Sequence, residues 1–166
     1  MRMNVSEVFT MLNANTVDFE KIRSDGHAIP ALTPEMISQA CAGLDPKFML
    51  AALIKISGDI NQAKRLVDPW LLGDISKRVV KENWDIKKGD LKAMCELAVF
   101  ELHSPSMFDT DEKRSIALSM NTQRIIVGLE YSKKYRRYYN MIFSVADDYC
   151  NTAISHLKKK WGADDE

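Results

Sequence analysis

At Thr33-Pro34, Asp45-Pro46 and Asp68-Pro69 a side chain able to cap a helix stands directly before a proline and ahead of an apolar stripe. A capping oxygen accepts from an orphan backbone N–H at a helix start. Proline at the first helical position has its φ preset and no N–H to leave unpaired. The pattern predicts three helix starts, and the residues that follow carry apolar side chains at steps of three and four. Met36, Ile37, Ala40 and Cys41 form the first stripe, with a stop at Gly43. Phe48, Met49, Ala52, Leu53 and Ile56 form the second, with a stop near Gly58. Asp59 is placed to cap a third helix bearing Ile60, Ala63, Leu66 and Val67. Pro69 opens a fourth with Trp70, Leu71, Ile75 and Val79, in which Gly73 is a weak point. After a predicted turn at Lys87-Lys88-Gly89-Asp90, the stripe Leu91, Met94, Cys95, Ala98 and Leu102 runs to Ser104-Pro105, which ends it. No alternating β-branched run of a sheet strand occurs. The expectation is an all-α, compact multi-helix fold, and 166 residues suffice for a single helical domain over 1–166.

The N-terminal residues 1–32 are less regular. Val5, Val8, Phe9 and Leu12 suggest a short amphipathic helix, Ser24-Asp25-Gly26 has turn chemistry, and Ala28-Ile29-Pro30 reads as extended. This stretch is expected to be a mobile arm or one that a partner orders. The first nine residues lack a basic region followed by an apolar run, and no apolar run approaches the ~20 residues that span a bilayer. No membrane association is expected.

Cys41, Cys95 and Cys150 are odd in number and widely spaced, with no CxxC pair, so neither a disulfide framework nor a zinc site is signalled. A reducing cytoplasm fits them. His27, His103 and His156 lie far apart, and no metalloprotease, nucleophile-elbow or phosphate-loop pattern is present. No metal, no cofactor and no enzymatic activity is expected.

The formal net charge is zero, so any attraction for nucleic acid must be local. Residues 111–140 hold seven Lys or Arg against three Asp or Glu. Residues 111–161 read as a degenerate helix-turn-helix followed by a basic, tyrosine-rich segment and a long helix. Ser115 would be the small residue that lets two helices cross closely, and Leu118, Met120, Ile125 and Leu129 would lock them. Ser119 stands where a turn glycine is usual. Asn121 would cap the second helix, whose exposed face would offer Thr122, Gln123, Arg124 and Val127. Glutamine can contact adenine and arginine can contact guanine in the major groove. Lys133, Lys134, Arg136 and Arg137 suit phosphates. The plain alternative is a helical hairpin with a solvated basic face, in which Tyr135 and Tyr138 belong to the core. Tyr135, Tyr138, Ile142, Val145, Tyr149, Ala153 and Leu157 form the stripe of a last helix reaching roughly 40 Å, able to brace the domain or pair with another copy.

The order of these features resembles phage Q-type late antitermination proteins: the apolar helix 91–98, Leu102-His103-Ser104-Pro105, the Leu118-Ser119-Met120-Asn121 turn, Lys134-Tyr135-Arg136-Arg137-Tyr138, and a long closing helix. The likeness covers about residues 84–161. Many such proteins carry a cysteine-rich zinc loop before the helix-turn-helix. Here residues 106–110 take that place without cysteines, which implies a zinc-free variant. The resemblance implies a protein of the bacterial host cytoplasm that binds double-stranded DNA beside a late promoter, joins a paused bacterial RNA polymerase and makes it resistant to terminators. Thr122, Gln123 and Arg124 would read the DNA, and Lys133, Lys134, Arg136 and Arg137 would hold its backbone. Two other classes stay open: a phage small terminase subunit, which would assemble as a ring, and a small helical inhibitor of a host protein that binds no DNA. A homo-oligomer is compatible with each.

Overall fold

The computed structural model describes residues 33–161, and all regular structure among them is helical. The arm expected over residues 1–32, with its short helix, lies outside the described residues. Helix α1 (Pro34–Ala40) is capped by Thr33, whose hydroxyl accepts from Met36 N at 3.2 Å. Helix α2 (Pro46–Ile56) starts at Pro46 after Asp45, whose side chain makes no capping bond. The glycines that follow these two helices, Gly43 and Gly58, have φ of 86° and 68°. That left-handed region is one L side chains avoid, so the stops read from sequence are physical stops.

The third proline behaves differently. After a 3₁₀ turn (Ile60–Gln62), helix α3 (Ala63–Leu66) passes through a π-helical segment (Val67–Leu71) into α4 (Leu72–Glu82) without a break. Asp68 therefore starts no helix. Proline inside an α-helix clashes with the carbonyl four residues back and donates no bond; a widened π turn gives it room. The predicted turn at 87–90 is also corrected: Lys87 is the cap of α5 (Lys88–His103), so Lys88, Gly89 and Asp90 form its first turn.

A 3₁₀ turn (Pro105–Phe108) leads to α6 (Asp111–Thr122), capped by the Thr110 hydroxyl. A short α7 (Gly128–Glu130) runs through a second π-helical segment (Tyr131–Tyr135) into α8 (Arg136–Trp161). Helix α8 is the brace: it packs most extensively on α2 and α5 and reaches α1. Its inner face buries Tyr138, Tyr139, Ile142, Ala146, Tyr149, Cys150, Ala153, Ile154 and Leu157. Helix α5 lies at the centre, with Met94, Cys95, Ala98 and Val99 fully buried, and α6 packs on its other side. No helix among the described residues is long and apolar enough to cross a membrane.

Candidate nucleic-acid interface

The sequence reading placed Thr122, Gln123 and Arg124 at the start of a second helix. The structure places Thr122 and Gln123 at the end of the first and Arg124 in the turn after it. Thr122 is the last residue of α6 and its hydroxyl donates to Leu118 O at 2.7 Å. Gln123 closes the helix in the left-handed conformation, φ 53°, with its N–H bonded to Ser119 O. The second helix begins only at Gly128. Ser119 is not the turn but its anchor: its Oγ accepts from Ile126 N at 2.8 Å and lies 3.1 Å from Ile126 O. Of the four residues expected to lock the pair, only Leu118 is buried; Met120, Ile125 and Leu129 are exposed and Ile126 takes the inner position. The displacement has a simple cause. Helix α6 runs one residue past Asn121, and each later residue of the turn then faces elsewhere.

Arg124, though exposed, lies back against Asp90. Its Nη2 donates to both carboxylate oxygens of Asp90, at 3.1 and 2.9 Å, and to the Tyr135 hydroxyl at 2.7 Å. The same hydroxyl donates to Asp90 Oδ2 at 3.0 Å. Asp90 is buried in the first turn of α5, so this triad ties α5, the turn and the second π-helical segment together. Burial, then the Asp90 bond, raise the Tyr135 phenol to about 12. The arrangement bears directly on base reading. A guanidinium contacts guanine through two adjacent nitrogens, and Nη2 belongs to both of its two-nitrogen edges. With Nη2 engaged by Asp90 and Tyr135, Arg124 offers no free fork unless the triad opens.

The basic segment fares better. Along the π-helical segment and the first turn of α8, tyrosine and cation alternate in sequence and separate in space. Tyr131, Tyr135, Tyr138 and Tyr139 are buried, while Lys133, Lys134, Arg136 and Arg137 are exposed. Lys134 lies 5.5 Å from the Tyr135 ring centre, and Arg137 stacks at 4.5 Å on Tyr138 while donating to its hydroxyl at 2.6 Å. Arg136 pairs with Asp111 and Ser132. Lys133 has no ion pair among the described residues. Tyr138 Oη accepts from Asp85 N at 3.3 Å and Tyr135 donates to Asp90, so the α4–α5 connection, which carries exposed Lys87 and Lys88, packs against the segment. Sequence spacing had not brought the two stretches together.

Beneath the segment sits a buried polar cluster. Glu101 of α5 accepts from Arg114 Nη2 at 2.6 Å and from the Tyr139 hydroxyl. Tyr131 Oη and Arg114 Nε are buried there without a hydrogen-bond partner among the described residues. The three cysteines are free and buried, and His103 bonds Ser104 Oγ and Gly58 O. Among the described residues no three metal-ligating side chains come together. No family model matches the chain, and no curated protein and no solved structure shows significant similarity to it.

Proposed function

We propose that this chain is a DNA-associated transcription regulator of the antiterminator kind, which holds the phosphate backbone of double-stranded DNA with its basic segment and engages bacterial RNA polymerase. The observation that carries the reading is the separation of tyrosines and cations around residues 131–139, which fixes Lys133, Lys134, Arg136 and Arg137 on a rigid outer face. Cations so placed respond to phosphate position rather than to base identity. Gln123, exposed at the turn, remains available to a groove. Arg124 contributes to base contact only if it leaves Asp90. The polymerase half of the reading rests on the order of sequence features between residues 84 and 161.

Replacing the four cations together with alanine is expected to weaken binding to specific and scrambled duplexes alike. The log–log salt slope should become shallower by ~0.9 for each phosphate that is no longer neutralised. Titrations at several salt concentrations read this directly. An unchanged affinity and slope would make the segment a solvated face and leave the reading without its support. Affinity purification from the bacterial host, probed for polymerase subunits, tests the partner. A second reading, a helical protein that binds a host protein and no DNA, is favoured by the exposed aliphatic side chains of α6 and the following turn. DNA binding that is absent at low salt would put it ahead.

A further inference from the structure

Ile116, Met120, Ile125, Val127 and Leu129 are each more than half exposed, and they lie on α6, on the turn after it and on α7, which packs against α6. Ile116 and Met120 lie one turn apart on α6. The bonds between Ser119 Oγ and Ile126 lay the turn along that helix, burying Ile126 and leaving Ile125 and Val127 outside on either side of it. Neither stretch that builds the surface, 115–123 or 125–129, contains a charged residue, and Arg124 between them is drawn to Asp90.

We propose that a second copy of the chain docks on this surface about a two-fold axis, α6 against α6. Three observations favour a second copy over another partner. First, area: five aliphatic side chains of this exposure supply on the order of 100 Å² each, most of the about 800 Å² per partner of a standard interface. Second, composition: homodimer interfaces are more apolar than those of partners that meet and part, and neither stretch of this surface carries a charge. Third, continuity: the basic segment starts at Lys133, four residues beyond Leu129, so the axis would set two basic segments side by side. Only this third point rests on the DNA-binding reading.

The test is sedimentation and light scattering on the full chain, with three aspartate variants. The wild type is expected at twice its 18.9 kDa mass. Met120→Asp and Ile125→Asp replace side chains 75% and 85% exposed in the single chain, so their helical circular dichroism should match the wild type. Each should weaken dimerisation by on the order of tenfold or more. Val80→Asp, 82% exposed on α4, should leave it unchanged. On duplex DNA the dimer's salt slope should be about twice that of either monomeric variant. A dimer that binds no DNA would uphold the docking surface while defeating the DNA reading. A wild-type protein that stays monomeric at about 200 µM, a concentration that reveals affinities far weaker than a stable dimer needs, overturns the proposal. In that event, nuclear Overhauser contacts from the Met120 methyl to residues 1–32 would assign the surface to the chain's own N-terminal segment. Loss of polymerase co-purification in Met120→Asp would assign it to polymerase.

Discussion

Tyr131 and Tyr139 are buried on one helical run, with ring centres 6.3 Å apart, yet their hydroxyls have opposite fates. Tyr139 donates to buried Glu101, whereas Tyr131 Oη is buried with no partner among the described residues. A hydroxyl taken from water without compensation costs about 1–3 kcal/mol, while one that satisfies a buried carboxylate returns a comparable amount. Tyr131→Phe is therefore expected to stabilise the fold by about 1 kcal/mol and Tyr139→Phe to destabilise it by about 1–3 kcal/mol. Urea midpoints at unchanged m-value would show both. If Tyr131→Phe destabilises instead, an internal water satisfies that hydroxyl. At the same scale, Asp90→Asn removes the charge that holds Arg124. Because the Arg124 side chain is 40% exposed, the loss should stay near 1–2 kcal/mol rather than the larger penalty of a fully buried pair.

Among the elements, two positions carry the wrong residue for their backbone. Gln123 closes α6 at φ 53°, where an L side chain is strained and glycine is not. Gln123→Gly is expected to stabilise by about 0.5–1 kcal/mol in thermal unfolding, a gain a base-reading role would not predict. Gly73 is the converse. It sits inside α4 with nothing within 4 Å of where a Cβ would be, so Gly73→Ala should stabilise by about 0.5–1 kcal/mol. A lower melting temperature for Gly73→Ala would mean that the space around this helix is filled in solution. The helix starts at Pro34 and Pro46 and the stops at Gly43 and Gly58 were legible because caps, proline and glycine act on their own backbone. Asp68-Pro69 carries the same local signal and is overridden. Val67 and Leu71 are buried, so the core holds the chain helical straight through the proline.

At the scale of the whole molecule, the interior is built around groups that resist ionisation. Burial pushes the Cys95 and Cys150 thiols up from an ordinary 9.0 to about 12, and burial raises the phenols of Tyr131, Tyr139 and Tyr149 further still. Each group keeps its proton longer folded than unfolded, so the folded state binds more protons once the unfolded thiols and phenols ionise. Stability is then fully present below about pH 9 and falls as pH rises toward 12. Circular dichroism across pH 7 to 12 should show cooperative alkaline loss of helix; a stability flat through pH 11, on the order of one pH unit short of the folded values, would contradict it. The same burial makes the three thiols unreactive in the native protein. Alkylation at neutral pH should modify them only after denaturant is added.

By itself the sequence determined that residues 33–161 are helical, where the helices at Pro34 and Pro46 begin and end, and which stripes face inward, because caps, turn residues and a period of 3.6 act within a few residues of one another. It also marked Tyr135 and Tyr138 for the core and the intervening cations for the surface. What it could not determine is everything that depends on two distant segments meeting. Whether α6 stopped before or after Asn121 was decided by where Ser119 and Ile126 could bond. That the Arg124 guanidinium is held rather than free was decided by Asp90, thirty-four residues away. The contact between the basic segment and the α4–α5 connection, which carries Lys87 and Lys88, was decided by the packing of α8. A local signal fixes a backbone conformation; a charge or an aliphatic side chain acquires a role only when tertiary packing has settled what stands beside it.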